Sequence, residues 1–255
     1  MMKNSRSLRQ RTRKALLLLS FLLFPITMNY LSPYVIIDGA SQGIVNGSLV
    51  AFGLMFLSAL LLGRLWCGWV CPAGGIGEIC FPVNDRPVSL KKIDWIKWSI
   101  WIPWLGIIVA SVILAGGYKT IDLALDTQNG ISVAGSVDRP ILFAYIIYYF
   151  VAGVFVALSF FVGRRAGCHS ICWMAPFMIL GRKLRNLAVW PSLRLKADPA
   201  RCSDCKTCVT NCPMSLDVNA LVQAGRMEHP ECILCGSCVD NCARHAIVYS
   251  FSAGK

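Results

Sequence analysis

Residues 202–213 read CSDCKTCVTNCP, and residues 232–243 read CILCGSCVDNCA. Each run is Cys-x2-Cys-x2-Cys-x3-Cys, the spacing with which a chain holds paired [4Fe–4S] clusters. Three thiolates of one tight loop fill three corners of a cubane, and the fourth must come from elsewhere. In this arrangement the last cysteine of each run crosses over. Cys202, Cys205, Cys208 and Cys242 then hold one cluster, and Cys232, Cys235, Cys238 and Cys212 the other. Zinc is the competing reading, but zinc sites use two cysteine pairs split by a longer loop, four ligands in all. Two compact quartets fit that poorly. Pro213 follows the first run and Ala243 the second, which predicts a difference in solvent access or potential at one cluster. Leu221, Val222, Ile233, Leu234, Ile247 and Val248 are expected to seal the clusters from water.

Working outward, the 255 residues are 56% hydrophobic and only 15% charged, too little charge for two soluble domains and too apolar for disorder. The net charge of +12 is unevenly placed: residues 1–196 hold 20 Lys and Arg against 7 Asp and Glu, and residues 197–255 hold 5 against 6. The excess sits with the greasy part. It reads as a membrane collar facing lipid, and nucleic acid is not an expected partner. The stretches 15–37, 39–63, 98–118 and 140–163 lack charge, and each is long enough to span a bilayer. The expected fold is an all-α domain of four transmembrane helices over 1–196, followed by an α+β ferredoxin-like 2[4Fe–4S] domain over 197–255. Pro25 and Pro103 fall inside spans one and three. The first apolar run, ALLLLSFLLFPI, reads as an uncleaved anchor rather than a signal peptide, with no small-residue cleavage site after it.

Basic residues set the orientation. Lys3, Arg6, Arg9, Arg11, Arg13 and Lys14 precede span one; Arg64, Arg86, Lys91, Lys92 and Lys97 follow span two; Arg164, Arg165, Arg182, Lys183, Arg185, Arg194 and Lys196 follow span four. The other face has Lys119 and Arg139. Both termini and the tail are therefore expected in the cytoplasm of a multi-pass cell-membrane protein. All thirteen cysteines fall on that reducing side, which favours ligation or redox work over disulfides. No Asp or Glu lies in a span, which weakens a transport reading. None of His169, His229 and His245 does either, so no haem is expected.

Spans two and four end alike. Gly63-Arg64 leads to Cys67-x3-Cys71-Pro72, and Gly163-Arg164-Arg165 leads to Cys168-x3-Cys172, with Pro176 later. The membrane domain thus reads as two parallel two-helix repeats with both pairs on one face. If locally helical, a spacing of four leaves Cβ atoms about 5–6 Å apart, too far for a disulfide. Together the four thiols admit a third Fe–S cluster, redox-active thiols, or packing. Cys80 has no partner in either pattern and reads as structural. Val88–Trp98 and Phe177–Trp190 read as interfacial helices, their basic side chains turned to anionic lipid.

These features together resemble the NapH/NosR-like family of membrane 4Fe–4S proteins over nearly the whole chain. GRLWCGWVCPAGG is close to its first signature and GRRAGCHSICWMAP is a looser copy. The resemblance implies quinol oxidation, or electron delivery between cytoplasmic and extracytoplasmic redox partners. The chain has no proline directly after Cys172, and its outer loops near 32–47 and 119–139 are too short for the flavin-bearing domain of the NosR branch. The expected function is a relay of single electrons through two clusters to other redox subunits or quinone. Two other readings stand: a copper-ion reductase or maturation factor, and an assembly or sensing subunit with structural clusters.

Overall fold

A computed structural model of the chain describes residues 8–89, 93–132 and 141–253. Lys3, Arg6, Lys91, Lys92 and Arg139 of the expected collar lie outside them. The stretch 15–37 is not one span. Helix α1 (Leu8–Leu22) is followed by a short α2 (Phe24–Thr27), a 3-10 turn and α3 (Pro33–Gln42). Pro25 and Pro33 each sit in a first helical turn, where a missing N–H is harmless but the preceding helix cannot continue through it. The stretch 39–63 also divides, between the end of α3, strand β1 (Ile44–Asn46) and α4 (Gly47–Leu62). Asn46 caps α4 by accepting from Leu49 N at 2.9 Å. Helices α5 (Leu65–Trp69) and α6 (Pro72–Ile79) follow.

Four spans were expected. Among the described residues two helices are long and apolar enough to cross a bilayer: α7 (Ile96–Leu114), and Ala144–Phe161 within α8 (Ile141–Phe161). At 1.5 Å per residue α7 is about 28 Å long, and the 16 residues of α4 reach only about 24 Å. Ile102, Ile113, Leu114, Leu142, Phe150 and Phe161 all point outward and are exposed, far more contiguous apolar surface than water tolerates.

The two repeats interlock. The second runs through α8, α9 (Ala166–Ser170) and α10 (Ala175–Leu187). The helix after each cysteine pair packs on the apolar helix of the other repeat: α6 on α8, and α10 on α4. Phe177 of α10 meets Phe52, Trp101 and Trp104 edge-on, at centroid distances of 5.3, 5.2 and 5.8 Å. The repeated glycine at each exit has a conformational cause. Gly63 and Gly163 both have positive φ, and a Cβ on Gly163 would lie 2.4 Å from Arg86 O. At the opposite end, β1 pairs in parallel with β2 (Thr120–Asp122). Asn29 Nδ2 donates to Asp126 O at 2.6 Å, and its backbone N–H to Ser132 Oγ at 2.9 Å. The two loops expected on one face are thereby knit together.

In the tail, β3 (Ser192–Ala197) pairs antiparallel with β4 (Ile247–Ser252), from Ser192 opposite Ser252 to Ala197 opposite Ile247. The first strand of the ferredoxin-like unit therefore begins before the expected boundary at 197. Short helices α11 (Thr207–Thr210), α12 (Val218–Gln223) and α13 (Ser237–Asp240) connect the cysteine runs. The runs repeat in backbone as well as sequence. Positive φ recurs at Asp204 and Leu234, Lys206 and Gly236, and Ser215 and His245. Ser215 N donates to Cys212 O, and His245 N to Cys242 O, both at 3.1 Å, so the same turn forms with Pro213 and with Ala243.

The basic collar is largely internal. Arg182 and Arg185 of α10, expected to face lipid, are 2% and 1% exposed. Arg182 Nε pairs with Glu228 at 2.6 Å, and Arg185 donates to Leu193 O at 3.0 Å. Lys97 is equally buried. The apolar half of α10 is needed against α4, so its basic half is left facing the tail. Val248, expected to seal a cluster, is exposed, whereas Val222, Ile233, Leu234 and Ile247 are buried.

Candidate metal centre

All thirteen cysteines are free. Cys202, Cys205 and Cys208, together with the distant Cys242, line one pocket. Ala246 N donates to Cys242 Sγ at 3.3 Å, and Asn219 Nδ2 approaches Cys202 Sγ at 3.9 Å. The second set is enclosed: Cys212, Cys235 and Cys238 are buried and Cys232 partly so. Burial pushes the Cys212 thiol up to about 12, with Cys235 and Cys232 adding to it. Burial also raises Cys238, reinforced by Cys235, Cys232 and Cys212, and then by Cys208 of the first set. The crossed groupings are therefore spatial neighbours, and the two sets adjoin. Thiols held this high ligate only when a cation takes the proton's place.

Cys205 is exposed while the second set is wrapped, which sets an order of loss. Graded treatment of the loaded protein with oxidant and chelator is expected to remove about four irons first, with Cys202, Cys205, Cys208 and Cys242 becoming alkylated before Cys212, Cys232, Cys235 and Cys238. Peptide mapping against residual iron checks this; simultaneous alkylation of both sets would contradict it.

The membrane-side cysteines also converge. Cys67 lies in α5, Cys71 caps α6, Cys168 lies in α9 and Cys172 precedes α10, so neither pair sits on one continuous helix. All four are buried. Burial raises Cys71, and Cys67, Cys168 and Cys172 raise it further; burial, then Cys168 and Cys67, push Cys172 up to about 12. Cys80 is buried in the core. A zinc with Zn–S bonds near 2.3 Å needs sulfurs about 3.8 Å apart. Among the described residues the only His, Cys, Asp or Glu group of three with ligand atoms within 4.8 Å of one another is Asp94, His169 and Glu231. The Lys97 ammonium already fills it, 2.5 Å from Asp94 and 2.7 Å from Glu231.

Charge buried around these thiols was not anticipated. Arg13, Arg64, Lys97, Arg164, Arg165, Arg182, Arg185 and Arg194 are all buried, and Glu231 is the one acid of equal depth among the described residues. Glu231 lies 2.9 Å from Arg64 Nη1 and 3.3 Å from His169 Nδ1. Glu78 takes Arg165 at 2.6 Å and Arg13 at 2.5 and 2.8 Å. The remaining donors cap carbonyls of the cysteine loops. Arg165 reaches Cys67 O, Arg164 reaches Cys212 O, Arg182 reaches Cys232 O and Gln10 reaches Cys235 O. Gly68 completes the junction: a Cβ there would stand 2.4 Å from Ile233 O. Arg64 Nε, Arg165 Nε and Arg185 Nε make no hydrogen bond. Buried cations in excess, with N–H groups unspent, fit an interior meant for polyanionic groups such as thiolate-bound iron–sulfur clusters.

Beside the quartet lies an apolar pocket that Cys172 and Pro72 help to line. Phe24, Ile76, Ile147 and Phe155 wall it, and Asn29, Asp126 and Ser132 line its polar end. The stretch after β2 brings Asp126 to this pocket.

Comparison with known proteins matches this layout. The family model described as a 4Fe–4S dicluster domain covers residues 201–247, and that described as a 4Fe–4S binding domain covers 46–89 and again 143–189. The relatives include the ferredoxin-type protein NapH of Haemophilus influenzae, 23% identical over 80% of this chain and 68% of its own length. The regulatory protein NosR of Stutzerimonas stutzeri is 26% identical over 71% of this chain. These relatives and the two 4Fe–4S domain matches support a place in the NapH/NosR-like 4Fe–4S family. The chain is also similar to an uncharacterized protein of Methanocaldococcus jannaschii, 24% identical over 84% of this chain and 83% of that one. It spans 66% of a second protein from that organism and 24% of NosR. No solved structure matches. The double match of the 4Fe–4S binding domain falls on the two interlocked repeats, and the dicluster domain on the two cysteine runs of the tail.

Proposed function

We propose that this chain is a membrane-embedded relay that carries single electrons between redox partners at its tail and a lipid-soluble quinol. Cys202, Cys205, Cys208 and Cys242 hold one [4Fe–4S] cluster, and Cys212, Cys232, Cys235 and Cys238 a second. Cys67, Cys71, Cys168 and Cys172 hold a third at the junction with the membrane. When bound, such clusters supply one-electron chemistry at potentials set by charge, hydrogen bonding and exposure. The chain fixes their order. The open set at Cys205 faces outward, where a soluble carrier or neighbouring subunit docks. The enclosed set is gripped by Arg164, Arg182 and Gln10 through loop carbonyls. The quartet lies between that set and the apolar cavity.

The exposed apolar faces of α7 and α8 support placement in a bilayer. Arg9 of α1 pairs with Asp240 of the tail at 2.9 Å, which supports the amino-terminal helix and the tail lying on one side. That side is the cytoplasm in this reading, as reduced thiols require. The observation that carries the proposal is the gathering of four thiols from two repeats beside an apolar cavity.

Anaerobic iron and sulfide analysis with low-temperature EPR tests it. The expected content is about twelve irons per chain, and the Cys67→Ser, Cys168→Ser double variant is expected to hold about eight with both tail signals intact. Wild-type protein with about eight irons, or a double variant that loses none from twelve, would defeat the third site.

A further inference from the structure

We propose that Arg64 and Arg165 form a matched pair that sets the reduction potential of the group held by Cys67, Cys71, Cys168 and Cys172; this rests on the ligating role of that quartet. The sequence pairs them once the repeats are aligned on cysteine. Arg64-x2-Cys67-x3-Cys71 and Arg165-x2-Cys168-x3-Cys172 share one spacing, so Arg165, not Arg164, is the partner of Arg64. The structure treats the two alike. Each is 1% exposed, each is paired with one glutamate, and each has an Nε–H that makes no hydrogen bond. Each also acts on the thiols of both repeats or of the neighbouring set: Arg64 is influenced by Cys67 and Cys172, and Arg165 by Cys168 and Cys235.

Arg164, the neighbour in sequence, is used differently. It pairs with Asp85 at 2.5 Å and donates to Thr210 O and Cys212 O, which is a docking role with the tail. Arg64 and Arg165 flank the quartet from the two repeats. A fixed positive charge beside a group that gains an electron favours the reduced form, and burial prevents water from screening it. Unspent N–H groups favour it further through hydrogen bonds to sulfur. The two glutamates partly offset this, so the arginines and Glu78 must act with opposite signs.

EPR-monitored redox titration of the loaded full chain tests the proposal. Arg64→Gln leaves Glu231 bound to Lys97, and Arg165→Gln leaves Glu78 bound to Arg13, so neither variant strands an acid. Each is expected to make the junction centre about tenfold harder to reduce, about 59 mV for one electron, while the Cys202 centre moves little. Arg64→Lys and Arg165→Lys are expected to retain most of the wild-type potential, and Glu78→Gln to shift it upward. A junction potential unchanged in both glutamine variants at full iron content overturns the proposal. So does a shift of the same sign in Glu78→Gln, which would mark general loosening. Should the glutamine variants lose the junction iron, the lysine variants decide: retained iron and potential support the proposal, and loss there too overturns it. Failure of the quartet reading itself is distinguishable, because wild-type protein would then show only two centres.

Discussion

Replacing Glu231 with alanine is expected to destabilise the folded chain by about 3–5 kcal/mol, the usual cost of removing one partner from a buried ion pair. The carboxylate stands between Arg64, at 2.9 Å, and Lys97, at 2.7 Å, and all three side chains are at most 2% exposed. Without it two cations face each other in a low-dielectric interior. A typical domain has about 5–15 kcal/mol of stability to lose, so the docked tail is expected to melt far earlier in detergent-solubilised protein. Glu231→Gln retains an acceptor and should fall between. A Glu231→Ala melting temperature within a degree or two of wild type would refute the assignment.

Acid offers an independent check. Burial alone would raise the pKa of Glu78, but the guanidiniums of Arg165 and Arg13 outweigh it and hold the carboxylate below its ordinary value. The same balance, with Arg64, His169 and Lys97, holds Glu231 lower still. A folded pKa below the unfolded one stabilises the protein at every pH above the ordinary carboxylate range. That contribution is lost as pH falls below that range and through the depressed values. Melting should therefore be flat near neutrality and drop in acid.

These residues show what a sequence reading reaches. Thiol spacing at 202–212 and 232–242 is local, and ligand geometry leaves few ways to satisfy it, so a crossed grouping of the two runs could be expected from the residues alone. The glycine–arginine exits were legible as repeats for a similar reason: a helix end that turns sharply needs positive φ. Charge placement was not legible. Arg64, Lys97, Arg182 and Arg185 obey the statistics of a membrane collar, yet each also pairs with an acid far away in the chain, Glu231 for the first two and Glu228 for the others. Hydropathy also missed helix breaks. Uncharged length does not reveal that Pro25, Pro33 and Gly43 break the first fifty residues into pieces, because those breaks are met by uncharged caps and tertiary contacts such as Asn46 and Ser48 rather than by charged side chains.

Occluding the cavity behind Cys172 is expected to separate two routes of reduction. Val151 lines it from α8, and Val151→Trp should occupy the space a quinol ring needs while leaving the cysteine loops untouched. Reduction by a short-chain hydroquinone, followed as bleaching of cluster absorbance, should slow by about 100-fold or more, because overfilling a packed wall leaves no room for a ligand. Dithionite, which needs no cavity, should still reduce every centre. Asp126→Asn probes the other requirement. A hydroquinone that gives up two electrons must also give up two protons, and Asp126 is the carboxylate lining this cavity. Its backbone is held at positive φ, with its carbonyl accepting from Asn29. Asparagine keeps the shape but cannot take a proton, so the hydroquinone rate should fall by about 10²-fold, the usual scale for losing a general base, with dithionite reduction again unchanged. Wild-type hydroquinone rates in both variants would remove the cavity from the electron path and leave the tail as the only entrance. A block by Val151→Trp alone would keep the ring in the cavity and send its protons out by another group.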